Sequence, residues 1–210
     1  MLPVKIIARF AATASSFALL LLGCASSGVN ATSAASTKPM DRSVGAGVGK
    51  GGVLVILASS SGNSTSRIGE AIADQLGAAV ASPERVDPDE LGKYSLVGFG
   101  SGIFDQAHHR SLLALAERLP YSPDRKVFIF STSGVSRRFA LDHDIDDPHD
   151  ALRGRLAANG CTVVGEFNCV GFNDNSFLFL FGGMNKGRPD AKDIALAEAF
   201  ADSLPRAAAP

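Results

Sequence analysis

From residue 53 to residue 204 the chain alternates apolar runs with stretches of helical period, and this alternation limits its fold more than any other feature. Val53–Ala58 (Val-Leu-Val-Ile-Leu-Ala) is continuously apolar, the pattern of a strand buried on both faces. Further strands are predicted at Ala79–Ala81, 95–100, 126–131 and 162–171. Between them lie helical patterns. Residues 66–76 carry Ile68, Ile72 and Leu76 on one stripe, and residues 109–119 carry Leu112, Leu115, Ala116 and Leu119. A helix over 150–159 is closed by Gly160. The last helix, 189–204, takes Pro189 in its first turn and pairs Asp190 with Asp193 as a capping box. Strict β–α alternation predicts an α/β three-layer sandwich, with helices on both faces of a five-stranded parallel sheet. Ligands of such sheets sit beyond the carboxyl ends of the strands.

The loops at those ends are therefore the informative ones. After the first strand comes Ser59-Ser60-Ser61-Gly62-Asn63-Ser64-Thr65, running directly into a helix. Hydroxyls and the N–H groups of a helix start together suit an anion without any lysine. The loop lacks the Gly-Lys-Ser/Thr of a nucleotide triphosphate loop and the Gly-x-Gly-x-x-Gly of dinucleotide folds. Its other reading is a serine-rich helix cap.

Ser59-Ser60-Ser61-Gly62-Asn63-Ser64 resembles the phosphate loop of the flavodoxin family, Thr/Ser-x-Thr-Gly-Asn-Thr, with serine replacing threonine. The resemblance continues through Tyr94-Ser-Leu-Val-Gly-Phe-Gly-Ser-Gly-Ile103, Phe128-Ile-Phe-Ser-Thr-Ser-Gly134 and Gly182-Gly-Met-Asn-Lys-Gly-Arg-Pro-Asp190, and covers roughly residues 52–205. It implies strand order 2-1-3-4-5 and FMN at the carboxyl edge of the sheet. The phosphate would rest on Ser59, Ser60, Ser61, Gly62, Asn63 and Ser64. The ring would lie between Gly100-Ser101-Gly102-Ile103-Phe104 and Ser131-Thr132-Ser133-Gly134, with Phe104 as stacking partner. Small residues fit that role, because a backbone with short side chains can approach a flat ring and donate N–H groups to its edge. Two departures from the family stand out. There is no Trp, and Tyr94 and Tyr121 fall outside these loops. Arg137 and Arg138 follow the fourth strand where classical carriers place acids. An arginine near the ring would stabilise the anionic reduced state and raise the potential; the alternative is that both face water.

Other features narrow the function. A formal net charge of −1 over 210 residues offers no general attraction to nucleic acid. The stretch Asp142-His143-Asp144-Ile145-Asp146-Asp147-Pro148-His149-Asp150 is rich in metal-ligand types but meets no known ligand spacing, and no metal site is assigned. His108 and His109 open the helix after the third strand, either as proton donors near a ring edge or as plain first-turn polar groups. Cys161 and Cys169 lie at the two ends of the fifth strand, too far apart for the ~7 Å limit of a disulfide. No Gly-x-Ser-x-Gly elbow is present, so a serine hydrolase is not expected. No catalytic residue is assigned.

The first fifty residues are a separate matter. Lys5 and Arg9 precede the apolar stretch 10–22, too short for a membrane span of ~20 residues, and it ends in Leu21-Leu22-Gly23-Cys24. This resembles a bacterial lipoprotein signal over 1–23, with Cys24 as the lipidated residue. Residues 24–50 form an Ala/Ser/Gly-rich linker, and 51–205 the folded domain. Removal of residues 1–23 takes the formal charge from −1 to −3. The protein is then expected at an extracytoplasmic membrane surface; translation from Met40 would instead leave it in the cytoplasm. The function these readings imply is an FMN-binding, flavodoxin-like redox protein carrying electrons between protein partners or to a small acceptor. An NAD(P)H-dependent quinone reductase of the same fold is one alternative. A non-redox binding module that has lost the flavin is the other.

Overall fold

The structure is a computed structural model and describes residues 52–59, 63–172 and 183–205. The chain divides into two units, Met1–Ser36 and Thr37–Pro210, and every described residue belongs to the second. The signal, the linker with Cys24, and the loop residues Ser60, Ser61 and Gly62 lie outside the described residues. Among the described residues no helix is long and apolar enough to cross a membrane.

In chain order the elements are β1 (Val53–Ala58), α1 (Ser64–Leu76), β2 (Ala79–Ala81), two short 3₁₀ turns, β3 (Leu96–Phe104), β4 (Ala107–His108), α2 (Arg110–Glu117), β5 (Lys126–Ser133), α3 (Arg137–Asp142), α4 (Asp150–Ala158), β6 (Thr162–Val170) and α5 (Ala191–Ser203). The parallel sheet runs β2-β1-β3-β5-β6. These are the five predicted strands in the predicted order. Among the described residues the sheet has six strands, because the two-residue β4 pairs antiparallel with the end of β3.

The apolar runs are buried on both faces, as their lack of alternation requires. On one face Leu54, Ile56, Val97, Phe99, Val127 and Ile129 meet Leu112, Leu115 and Ala116 of α2 and Leu152 and Leu156 of α4. On the other, Val55, Leu57, Phe128 and Phe130 meet Ile68 and Ile72 of α1 and Ala197 and Ala201 of α5. Cys161 packs in the first cluster and Cys169 in the second, both as free thiols. Burial pushes the Cys169 thiol up to about 12, so it stays protonated as a small apolar group.

Three details differ from the sequence-based expectation. Strands β3 and β5 continue past residues 100 and 131 to Phe104 and Ser133, because small polar residues there still complete the ladder with each other. The short helix α3, capped by Ser136 through Phe139 N–H, has too few residues to show a period. The last helix starts at Ala191, not Pro189. Asp190 caps it, with the Asp190–Asp193 capping box formed, while Pro189 precedes the cap after a cis peptide bond.

Candidate functional site

A cleft of about 410 Å³ opens at the carboxyl edge of the sheet, between the start of α1 and the ends of β3, β5 and β6. Asn63 caps α1, its Oδ1 accepting from Ser66 N–H at 3.1 Å. The N–H groups of Ser64 and Thr65 have no acceptor within a helix that starts there. Arg67, one turn into α1, and Arg188, whose guanidinium is paired with Asp193, also line the cleft. The floor joins α1 to β5 by a Thr65–Thr132 hydroxyl hydrogen bond of 2.6 Å. Backbone of Gly102, Gly134 and Gly171 supplies much of the remaining lining, with Phe104 and Phe172 as the exposed aromatic surfaces, 51% and 41% accessible.

The cleft walls are tied together by side chains. Ser64 Oγ accepts from Phe172 N–H at 3.0 Å and donates to the Arg188 carbonyl. Gly171 packs against Ser64 so closely that a Cβ there would stand 2.9 Å from the Ser64 Cβ. Asn185 donates through Nδ2 to the carbonyls of Gly134 (2.7 Å) and Gly171 (3.2 Å). Asn168 donates to Ser131 and Ser133 hydroxyls, both at 2.9 Å, and accepts from Arg137 N–H. These bonds hold the segment after β5 in place before any ligand arrives.

Of the residues singled out by sequence, Asn63, Ser64, Gly102, Ile103, Phe104, Thr132, Ser133 and Gly134 come together in this cleft. Ser59 lines an adjoining cavity beyond Phe104, with Glu84, His109 and Ser111. Gly100, Ser101 and Ser131 lie beneath the cleft instead. Gly100 sits under the Phe130 ring, and the two serines are fully buried on the α2/α4 side of the sheet. Strand alternation sends Gly100 to one face and Ser101 to the other. Arg67, Gly171, Phe172 and Arg188 of the lining, and Asn185 behind it, were missed. Arg67 carried a local signal, standing four residues after the cap Asn63 and so on the same helix face, and Asn185 and Arg188 lay within the resembling stretch 182–190.

Behind the cleft is a buried polar network that local sequence patterns do not reveal. Ser101 Oγ meets His108 Nδ1 at 2.8 Å, and Ser131 Oγ meets His149 Nε2 at 2.7 Å. Ser101 and Ser131 are register partners on β3 and β5, and the two imidazoles lie 5.1 Å apart. His149 Nδ1 bonds Glu166 at 2.9 Å. Burial, reinforced by the neighbouring His149, pushes the His108 imidazole down to about 3, so it is neutral. Glu166 and Asp147 are in turn held by Arg153 and Arg137, with Arg137–Asp147 bonds of 2.7 and 2.5 Å and an Arg137–Glu166 contact of 3.1 Å. Burial alone would raise both carboxyls. Hydrogen bonds from Arg153 and His149 outweigh it at Glu166, bringing it down to about 2, and hydrogen bonds from Arg137 and Arg153 hold Asp147 well below its ordinary range. The Arg137 guanidinium is therefore committed to carboxylates, and Arg138 is exposed and paired with Asp142. Among the described residues no cluster of His, Cys, Asp or Glu is arranged to hold a metal ion.

No protein-family profile matches the chain. An uncharacterised protein of Methanocaldococcus jannaschii is 35% identical over 151 residues, covering 72% of this chain and 96% of that protein. Among solved structures, oxidised flavodoxin 2 from Bacillus cereus superposes with a TM-score of 0.50 at 20% identity, covering 72% of this chain and 95% of its own. A short-chain flavodoxin associated with a non-canonical PDU bacterial microcompartment gives 0.51 at 13% identity, covering 73% and 96%. The fold is thus the flavodoxin-like α/β sandwich. The chain belongs to the same family as the Methanocaldococcus protein, a family with that fold.

Proposed function

We propose that the cleft binds FMN and that the protein is a flavodoxin-like redox protein. The observation that carries this reading is the cleft's division of labour. The first turn of α1 offers its N–H groups and the Arg67 cation, and the rest of the lining offers the glycine backbone of Gly102, Gly134 and Gly171 with the exposed aromatic side chains of Phe104 and Phe172; Arg188 also lines the cleft, its guanidinium paired with Asp193. That suits an elongated ligand with an anion at one end and a flat apolar body at the other. The side-chain-poor walls at Gly102, Gly134 and Gly171 let a ring approach the backbone, and a volume of about 410 Å³ is of the size cofactor clefts have. FMN, when bound, supplies the redox chemistry. Ser64, Thr65 and Arg67 would bind its phosphate, Phe104 and Phe172 would exclude water from the ring faces, and the Ser133–Gly134 backbone would fix the ring edge.

Titration of FMN with the purified protein, followed by flavin fluorescence, tests this. Saturable one-to-one binding at micromolar concentration is expected. Arg67→Ala should weaken FMN about tenfold, about 1.4 kcal/mol, and leave riboflavin binding unchanged. Failure to bind FMN would favour a binding module without flavin. With FMN bound, turnover of NADPH with a quinone would favour a reductase over an electron carrier serving partner proteins. We also propose that the protein is held at a membrane through lipid on Cys24. Cys24→Ser should then move it from the membrane to the soluble fraction; a wild-type protein already soluble in the cytosol would contradict the anchor.

A further inference from the structure

A second cavity of about 260 Å³ adjoins the cofactor cleft and shares Ile103, Ser133 and Gly134 with it. Its surface is mainly apolar, from Ile103, Val135, Ala140, Ile145, Pro148 and Met184. The common wall is rigid. Ser133 Oγ donates to the Val135 carbonyl at 2.5 Å, and Asn185 holds the Gly134 carbonyl at 2.7 Å. The cavity is poorly suited to an anion. Arg137, the one cation among its described lining residues, is bound to Asp147 and Glu166, and Asp146 adds a negative charge. A nucleotide phosphate would find no free partner there.

One polar side chain stands apart. Ile103 pairs with His108 and Phe104 with Ala107, so Asp105 and Gln106 form a two-residue hairpin loop. Both have positive φ, 48° and 62°. Asn-Gly or Gly-Gly is the usual choice for such a turn, because glycine takes that conformation without strain. Glutamine at the second position takes that conformation at a cost, and it lines the cavity as an exposed residue whose side chain makes no hydrogen bond among the described residues. A carboxamide at the rim of an apolar cavity fits recognition of a neutral molecule through one hydrogen bond.

We propose that this cavity is a binding site for a small neutral ring compound bearing a carbonyl oxygen, recognised by the Gln106 carboxamide. That such a compound would serve as an electron acceptor rests on reading the neighbouring cleft as an FMN site; its binding does not. Ring atoms seated against Ile103 and Gly134 would lie next to the cleft wall that both sites share.

The test uses duroquinone, a neutral ring diketone whose fully methylated ring resists thiol addition. Its binding is measured by saturation-transfer NMR, with FMN present and absent. The wild-type protein is expected to bind it saturably below millimolar concentration. Gln106→Gly should weaken binding at least fivefold while its melting temperature stays level or rises, since glycine relieves the turn. Val135→Trp, at a half-exposed position of the rim, should block the cavity without touching the core. Absence of saturable binding to the wild type, or equal affinity in wild type and Gln106→Gly, overturns the proposal. Variant-sensitive duroquinone binding by a protein that takes no FMN would uphold this cavity and sink the FMN reading. FMN binding with no duroquinone binding would do the reverse.

Discussion

Phe130 of β5 lies across Gly100 of β3, its register partner, so closely that a Cβ on Gly100 would stand 2.0 Å from the ring's Cζ. Phe128 covers Gly98 in the same way, at 2.2 Å, and the two rings stack 6.1 Å apart. These glycines make room for aromatic rings in the core on the α1/α5 face, where both phenylalanines are fully buried. Gly100→Ala should therefore lower the free energy of unfolding by ~1–3 kcal/mol through overpacking, read from urea denaturation with an unchanged slope. A wild-type midpoint would show that the ring moves freely and that the packing account is wrong. The same residue illustrates a limit of reading single positions. A glycine-rich segment at a strand end looks like a ligand loop, but whether Gly100 faces ligand or core depends on where β3 ends. Gly102, two residues on, does line the cleft. Phe172 had no local signal, because it is defined by its contact with α1, and Asn185 lay within the resembling stretch 182–190 but its role depends on contacts with the segment after β5.

At the scale of elements, β3 and β5 each carry a buried serine that bonds an imidazole from the next connection, Ser101 with His108 and Ser131 with His149. This network ties β4 and the start of α4 to the centre of the sheet. It also sets a pH dependence. The folded-state pKa of His108 is depressed below its unfolded value of 6.5 to about 3, so the unfolded chain binds the proton more tightly. The stabilisation is complete above pH 6.5 and is lost as pH falls toward 3. Stability should drop by about 2 kcal/mol between pH 7 and pH 5. Glu166 and Asp147, depressed carboxyls, lose their contribution only below the ordinary carboxylate range and leave this window unaffected. Denaturation midpoints at pH 7 and pH 5 check this. His108→Asn should flatten the difference, and an equal slope in the variant would assign the effect elsewhere. Sequence periodicity found the five parallel strands and four main helices, because continuous apolar runs and 3.6-residue stripes are local. It missed α3 and β4, whose six and two residues are too short for a period. It left the Ser–His pairs and the Arg137–Asp147–Glu166 cluster unseen, because those join residues from separate elements.

At the scale of the whole molecule, the fold was legible because strict β–α alternation leaves few topologies, and the edge on which ligands bind follows from the fold. The general place of the site was thus readable, and eight of the residues expected there do line the cleft. Its charge was not. The sequence suggested an anion site of hydroxyls and helix N–H groups without a cation, whereas Arg67 and Arg188 both line the cleft, Arg188 with its guanidinium paired to Asp193. Arg137 and Arg138, which the sequence offered either near the ring or facing water, are paired with carboxylates. The central claim is that FMN occupies this cleft, and mapping backbone amide shifts by NMR as FMN is added tests it most directly. The account predicts that the largest shifts fall on Ser64, Thr65, Gly102, Phe104 and Thr132 through Gly134. Shifts confined to the opposite edge of the sheet, or no shifts at saturating FMN, would contradict it.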